Sequence, residues 1–268
     1  MLGRRLQSKI RGILKKFSSK TEINITIDDT LANVSREGNP YTGYSAYFME
    51  RVANSVAQGR PHNTLGNNLM RDGKSHGDFW EAGEAKAKSY MEFLNMPRPG
   101  AKVVEYGCGS LRMGAHFMRE LSSGSYMGLD VAEGLLNLGK ELVGNEIVSG
   151  KKPTLRIISP DSVDEAMKFG ADGVFSCAVS MHVHPDELAF YFDSLKKITS
   201  KPGCRLVFDA AIAKESVRFG NRNWAWEEDF LFSQLEGLDL IKTHMGEWQK
   251  RFGIKMAIAT YEFQRPMK

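Results

Sequence analysis

The amino-acid sequence predicts an α/β protein with a mostly parallel central sheet that is wrapped by helices on both faces. Two observations carry this prediction. From Ala101 onward, short apolar runs typical of buried strands alternate with segments of helical periodicity. The first of these strands runs into a glycine turn, in the stretch VVEYGCGSLRMGAHF (residues 103–117), and a helix-like segment follows the turn.

The chain divides into three parts by composition. Residues 1–20 are a basic tail, residues 21–95 an N-terminal arm and cap, and residues 96–268 the α/β domain. Within the cap, apolar periodicity predicts helices over 44–57 and 80–94. A long, polar and glycine-rich loop separates them, and loops of that kind in compact domains are often functional or disordered.

The α/β domain contains five predicted strands and four predicted helices before the alternation ends near Asp209. The strands are 102–106, 125–129, 154–158, 173–177 and 205–209, and the helices are 113–121, 134–143, 163–169 and 186–199. A tryptophan-rich segment, a helix over 226–235 and two late strands, 238–244 and 255–263, complete the chain.

Composition is ordinary for a soluble globular protein. The chain has 268 residues, of which 42% are hydrophobic and 25% charged, and this length suits one large α/β domain with appendages. No apolar run approaches the roughly 18 residues that a membrane span requires. Its three cysteines, Cys108, Cys177 and Cys204, are odd in number and widely spaced, which argues against disulfides and against a metal site. The absence of a disulfide pattern predicts a cytoplasmic location.

The formal net charge of +4 is concentrated in the tail. Seven of the 36 basic residues and none of the 32 acidic residues lie within 1–20, so the rest of the chain is slightly acidic. This distribution argues against a nucleic-acid partner for the body of the protein. Apolar residues recur in the tail at spacings of three and four, which fits peripheral contact with a membrane face, a docking helix for another subunit, or a basic leader.

The glycine turn is not a phosphate-binding motif of the common kinds. A dinucleotide-binding fingerprint requires a third glycine where this chain has Arg112, and no P-loop lysine is present. An acid, Glu105, precedes the turn and is placed to hold an ammonium group. Asp130 ends the second strand, where a carboxylate accepts ribose hydroxyls, and Asp161 follows the third, within reach of an adenine amino group or as a helix N-cap.

From Trp80 to its end, the chain resembles the class I S-adenosylmethionine-dependent methyltransferases. The stretches that carry the resemblance are VVEYGCGS, GLDVAEGLL with Asp130, DGVFSCAVSMHVHPDEL and LKKITSKPGCRLVFD. The resemblance implies a Rossmann-like, seven-stranded, mostly parallel sheet with a reversed edge strand and an N-terminal helical cap. It also implies S-adenosyl-L-methionine as cofactor and S-adenosyl-L-homocysteine as product.

Candidate site residues follow from these motifs and from the resemblance. Candidates for cofactor binding are Glu105, Gly107, Cys108, Gly109, Asp130, Val131, Asp161, Cys177, Ala178 and Trp80. Candidates for catalysis are His182 and His76, because a histidine near the methyl group is suited to removing a hydroxyl proton. Candidates for substrate binding are His184, Trp224, Trp226 and Tyr44.

The predicted reaction is methyl transfer, most simply O-methylation of a saccharide or a lipid-linked glycan precursor. The basic tail and a flat platform formed by Trp224 and Trp226 favour that acceptor. The alternatives are a small-molecule O- or N-methyltransferase of secondary metabolism, an RNA or protein methyltransferase, and a non-catalytic regulator that binds the cofactor. Methylation of nucleic-acid bases is disfavoured, because Cys177 lacks a preceding proline and its segment lacks an Asn/Asp-Pro-Pro-aromatic run.

Overall fold

The computed structural model describes residues 43–58, 79–219 and 223–267. The basic tail 1–20 and the predicted catalytic residue His76 lie outside these ranges. Two helices precede the sheet, α1 (Gly43–Ala57) and α2 (Phe79–Phe93), and both agree with the predicted cap helices to within a residue. Among the described residues, no helix is both long and apolar enough to span a bilayer.

Strands and helices alternate through the first part of the α/β domain. In chain order they are β1 (Val103–Tyr106), α3 (Gly114–Glu120), β2 (Tyr126–Asp130), α4 (Glu133–Val143), α5 (Asn145–Lys151), β3 (Thr154–Ile157), α6 (Pro160–Phe169), β4 (Gly173–Ser176), α7 (Leu188–Ile198) and β5 (Arg205–Ala213). Two 3₁₀ turns, Ser180–His182 and Pro185–Glu187, lie between β4 and α7.

The C-terminal part adds β-structure to the sheet. It comprises β6 (Val217–Phe219), β7 (Asn223–Ala225), α8 (Glu228–Gln234), β8 (Asp239–Met245), β9 (Gln249–Arg251) and β10 (Ile254–Gln264). The strands β6 and β7 form a separate antiparallel hairpin, and β9 pairs only with β10.

The sheet has the strand order β3-β2-β1-β4-β5-β10-β8. Strands β1 to β5 are parallel to their neighbours, whereas β10 runs antiparallel to both β5 and β8. The reversed strand is therefore β10, one place inside the edge strand β8, so the prediction that the edge strand itself is reversed is wrong. This architecture confirms the predicted Rossmann-like, seven-stranded sheet, to which β9 adds a short extension.

Both faces of the sheet are covered by helices, as predicted from the alternation of elements. One face packs against α6, α7 and α8, and the other packs against α2, α3 and α4. On the second face, the rings of Phe117 and Phe175 stack with centroids 4.4 Å apart. The strands β1, β2 and β4 are buried along their whole length, because parallel strands between two helical layers have no solvent-exposed face.

The helix α1 contacts the sheet domain at its start and again in its second half. At its start, the carboxylate of Glu187 accepts hydrogen bonds from the backbone amides of Tyr44 and Ser45, at 2.6 and 3.2 Å, and from the Ser45 hydroxyl. Further along, α1 packs on the first turn of α4, where a Cβ built on Gly134 would lie 2.9 Å from that of Ala53. The helix therefore bridges the segment after β4 and the segment after β2.

Four features differ from the sequence prediction. The helix α5, the hairpin β6–β7 and the strand β9 were not expected. The helix α6 begins at Pro160 and not near residue 163, because Ser159 and Ser162 exchange hydrogen bonds as a capping box. The alternative of Asp161 as the helix N-cap is therefore wrong, since Ser159 occupies that position.

Candidate functional site

The glycine turn after β1 is fixed by both conformation and close packing. Gly107 and Gly109 have φ values of +80° and +53°, in the region that glycine adopts without steric cost. The amides of Gly107 and Cys108 both donate to the carbonyl of Leu129, at 2.7 and 2.9 Å. A Cβ on Gly107 would lie only 2.3 Å from Cγ2 of Val179, so the turn packs directly against the segment after β4.

Asp130 is joined to this turn at the end of β2. Its Oδ2 accepts the Gly109 amide at 2.7 Å, and its Oδ1 accepts the Ala132 amide at 3.0 Å. Burial raises the pKa of Asp130 to about 6, although these hydrogen bonds oppose the shift and the charge of Glu50 adds to it. The group is therefore mostly ionised at neutral pH. A third backbone amide, that of Val131, also acts on the carboxylate, and carboxylate oxygens are the acceptors that a ribose diol requires.

Glu105 is buried in β1, between β2 and the start of α3. Its carboxyl accepts a hydrogen bond from the hydroxyl of Tyr126, and Gly114 at the start of α3 lies against it. Burial raises the pKa of Glu105 to about 8, so the carboxyl is largely neutral at pH 7. These contacts give it a structural role, and its contact with an ammonium group stays a prediction. The thiol of Cys108 is also buried, with Gly128 beside it.

A charged cluster holds the segment that follows β4. Asp209 on β5 accepts a hydrogen bond from the amide of Ala178, whose φ of +55° is unusual for a residue with a side chain. The thiol of Cys177 lies 3.8 Å from the same carboxylate, and Nζ of Lys86 on α2 forms an ion pair with it at 3.2 Å. Burial raises the pKa of Cys177 to about 12, so the thiol stays protonated and is not a nucleophile.

An aromatic cluster lies beside this segment, where α1 begins. The rings of Tyr44 and His184 have centroids 4.4 Å apart, and each approaches Trp224, at 6.0 and 5.5 Å. Nδ1 of His184 accepts the amide of Asp186 at 3.2 Å, so the neutral ring carries its proton on Nε2. Burial lowers the pKa of His184, with Asp186 opposing the shift and the charge of Arg218 adding to it, so the ring is neutral at neutral pH.

Solved structures of low sequence identity share this architecture. The 4+2 cyclase SpnF has a TM-score of 0.59 at 12% identity, over 84% of this chain and 96% of that one. Geranyl diphosphate C-methyltransferase from Streptomyces coelicolor A3(2), solved with S-adenosyl-L-homocysteine, has a TM-score of 0.57 at 12% identity, over 85% and 98%. Magnesium protoporphyrin IX methyltransferase from Synechocystis PCC 6803, also solved with S-adenosyl-L-homocysteine, has a TM-score of 0.55 at 16% identity, over 82% and 99%.

The fold is that of the class I S-adenosylmethionine-dependent methyltransferases. No protein-family model matches the chain, and a sequence search of curated proteins finds no relative. The likeness therefore resides in the three-dimensional arrangement. SpnF carries the same fold under the name of a cyclase, so the fold alone does not fix the reaction.

In this methyltransferase fold, the carboxyl ends of the strands bring part of the predicted site together. The strands β2, β1 and β4 are neighbours in the sheet. Asp130 ends β2, the glycine turn follows β1, and the Cys177–Ala178 segment follows β4. Val131 follows directly after β2 and is partly buried. Asp161 lies exposed in the first turn of α6, and its contact with adenine stays a prediction.

The predicted two-tryptophan platform is wrong. Trp226 is 0% exposed, and its Nε1 donates to the carbonyl of Ser180, so it serves the core and anchors the segment after β5. Trp224 is 3% exposed and is covered by Tyr44 and His184. The two rings therefore offer no flat surface, although Trp224 stays a candidate for the wall of an acceptor site.

The two remaining candidates have other surroundings. His182 is exposed in the 3₁₀ turn after β4, and its role in catalysis stays a prediction. The ring of Trp80 packs on α3, with the guanidinium of Arg119 3.6 Å from its centroid and His116 at its edge. That packing explains its position, and its contact with the cofactor stays a prediction.

Sequence reasoning missed three residues that organise the site: Asp209, Lys86 and Glu187. An acid within the apolar run RLVFDAAIA was a usable signal for Asp209, because a buried carboxylate in a strand requires partners. No local pattern marks Lys86 or Glu187, since each contacts a group far away in the chain. Within the described residues, no group of His, Cys, Asp and Glu side chains is arranged to hold a metal ion.

Proposed function

We propose that this protein transfers a methyl group from S-adenosyl-L-methionine to a small-molecule acceptor. The observation that carries the proposal is the junction of the glycine turn with Asp130. The two sit at the ends of adjacent strands in the sheet order of the methyltransferase fold. An ionised carboxylate accepts ribose hydroxyls, and the two glycines of the turn let the methionine part of the donor approach the backbone.

When it is bound, the sulfonium donor supplies an electrophilic methyl carbon, so the protein's contribution is position and exclusion of water. Gly107 and Gly109 would cradle the donor's amino-acid part. Cys177 and Ala178 would line the path toward the acceptor, and Asp209 keeps that segment in place. No thiolate takes part, since the Cys177 thiol stays protonated.

The acceptor would meet the aromatic cluster of Tyr44, His184 and Trp224. Aromatic rings offer an apolar wall, and the Nε2 proton of His184 offers one hydrogen bond, a combination suited to a small amphipathic molecule. The finer prediction is O-methylation of a saccharide or a lipid-linked glycan precursor, which would contact the partly exposed Tyr44 and His184 of this cluster. For a hydroxyl acceptor, His182 or His76 would remove the proton.

Transfer of a labelled methyl group from S-adenosyl-L-methionine to host extract tests the proposal. The lipid, polysaccharide, small-molecule, RNA and protein fractions are counted separately, for the wild type, Asp130→Ala and Asp172→Asn. Asp172 is a matched control, because it is an acid held by the Lys102 amide and by Lys201, outside the proposed site. We expect label in a small-molecule, saccharide or lipid fraction, absent only with Asp130→Ala.

Other outcomes contradict specific parts of the proposal. Label confined to RNA or protein would replace the small-molecule acceptor with a macromolecule. Donor binding without label in any fraction would favour a non-catalytic regulator. Equal labelling by Asp130→Ala and the wild type would remove Asp130 from the donor site.

A further inference from the structure

The segment that leads into and forms the β9–β10 hairpin exposes large apolar side chains. Trp248 is 45% exposed, Phe252 65% and Met245 41%. We call residues 245–255 the aromatic hairpin. Isolated exposed apolar residues are common on soluble proteins, but three large ones in a single short segment mark an interaction surface.

The turn of the aromatic hairpin places Phe252 in a backbone conformation that bulky residues disfavour. Arg251 pairs with Ile254, so Phe252 and Gly253 are the two central residues, and their φ values are +51° and +80°. Two-residue hairpin turns with positive φ at both positions favour Asn-Gly, because a bulky side chain is strained there. Phe252 has a ring contact with Phe219, at 5.9 Å, yet most of its surface stays in solvent.

Three cations lie in the same segment as these aromatic residues. Lys250, Arg251 and Lys255 are all exposed, and Glu247 is the one acid in the segment. Across the described part of the chain, no carboxylate lies within ion-pair distance of these three cations; Arg251 instead donates to the side-chain amide of Gln249. The aromatic hairpin is thus both apolar and positively charged.

The aromatic hairpin projects from the edge of the sheet that carries the candidate site. Met256 of β10 pairs with Ala213, the last residue of β5, so the turn at Phe252 lies beyond the carboxyl end of β5. Because β5 is parallel to β4 and β1, this is the edge at which the glycine turn lies.

We propose that the aromatic hairpin docks on an anionic membrane surface, with Trp248 and Phe252 entering the interface and the three cations facing lipid phosphates. Aromatic side chains concentrate at the level of lipid headgroups, and each basic residue near an anionic leaflet adds attraction. Pairing with the same hairpin of a second copy is disfavoured, because it would bring like charges together. Docking would turn the candidate site toward the lipid, and it does not depend on the proposed methyl transfer.

Flotation of the full chain with vesicles tests the proposal. Vesicles of phosphatidylcholine alone are compared with vesicles that also contain phosphatidylserine. We expect binding to the anionic vesicles, and we expect Trp248→Ser combined with Phe252→Asn to weaken it by roughly tenfold or more. Asparagine suits the turn at position 252, so this variant should fold at least as well as the wild type, which thermal unfolding checks.

A charge variant and a matched control separate the two components of binding. Lys250→Gln with Arg251→Gln should weaken binding to anionic vesicles by roughly tenfold or more, because each cation contributes about fivefold near such a surface. Leu240→Ser removes a side chain of similar exposure, 44%, from the other end of β8, and should leave binding unchanged.

Three outcomes would overturn the proposal. The first is a wild type that does not bind anionic vesicles. The second is binding that survives Trp248→Ser with Phe252→Asn, which would assign it to another part of the chain, such as residues 1–20. The third is a change of mass in light scattering caused by the same variant, which would identify the aromatic hairpin as an interface between copies of this chain.

Discussion

The backbone amide of Gly109 donates a 2.7 Å hydrogen bond to Oδ2 of Asp130. This contact joins the turn after β1 to the end of β2, two points that are 21 residues apart in the chain. The carboxylate thereby orders the glycine turn from the end of the neighbouring strand. One residue therefore supports both halves of the proposed donor site.

Replacing Gly107 with alanine should disrupt the turn by two additive effects. A φ of +80° costs an alanine roughly 1–2 kcal/mol, and the new Cβ would lie 2.3 Å from Val179, which adds roughly 1–3 kcal/mol of overpacking. We expect a lower free energy of unfolding in a denaturant titration and loss of donor binding.

Gly100→Ala is the matched control for this substitution. Gly100 has a φ of +71°, but nothing lies within 4 Å of a Cβ built there. It should therefore lose only the conformational part, roughly 1 kcal/mol, and keep donor binding. Equal losses in the two variants would show that the close approach of Gly107 to Val179 has no energetic role.

The burial of Glu105 predicts a pH-dependent difference in stability between the wild type and Glu105→Gln. The folded-state pKa of about 8 lies above the ordinary value of 4.5, so the native state retains the proton that the unfolded chain loses. The contribution of the protonated carboxyl to the free energy of unfolding is fully present below pH 4.5 and is lost as the pH rises through 8. Glutamine cannot ionise and keeps its stability.

Thermal unfolding of both proteins from acid to mildly alkaline pH measures this difference. We expect similar midpoints at the acid end and a more stable Glu105→Gln above pH 8, by on the order of a few kcal/mol. Parallel curves over the whole range would contradict the burial of an ionisable carboxyl at this position.

Glu187 should control the attachment of α1. Its carboxylate accepts the amides of Tyr44 and Ser45, so Glu187→Ala would leave the first turn of α1 without its acceptor. We expect faster hydrogen exchange in α1, because the free energy of its local opening should fall by roughly 1–2 kcal/mol, the usual cost of a lost N-cap. Unchanged exchange in α1, or equal acceleration in the distant α3, would argue against this anchoring role.

Asp209 should control the segment after β4 through its charge. Asp209→Asn keeps the size of the side chain but removes the ion pair with Lys86 and weakens the acceptor for the Ala178 amide. We expect a loss of roughly 1–3 kcal/mol in the free energy of unfolding. In a transfer assay, the turnover number should fall more than the donor affinity if the segment lines the path to the acceptor as proposed. A variant with wild-type stability and turnover would show that the cluster is dispensable.

The sheet could be predicted from the sequence because its strands and helices have distinct local signals. The strands β1 and β2 are short apolar runs that end at a glycine and at an acid, and both bounds were predicted to within a residue. The hairpin β6–β7 and the strand β9 have three residues each and no regular alternation of apolar and polar residues. Segments of that length form strands only through the pairing partner that the fold supplies.

The candidate site could be predicted only where its residues belong to one motif. The glycine turn and Asp130 follow directly from strand ends, whereas the Lys86–Asp209 ion pair joins residues from α2 and β5 with no local spacing in common. The sequence also did not show which aromatic side chains are buried. Trp226 has the same residue type and neighbours that a stacking platform would have, and its place in the core depends on the packing of the segment after β5.

Calorimetric titration of S-adenosyl-L-methionine into the wild type, Asp130→Ala and Asp172→Asn tests the central claim most directly. The account predicts saturable binding to the wild type and to Asp172→Asn, and binding at least about tenfold weaker to Asp130→Ala, because two hydrogen bonds to a charged acceptor are lost. Absence of binding to the wild type, or equal affinity for all three proteins, would contradict it.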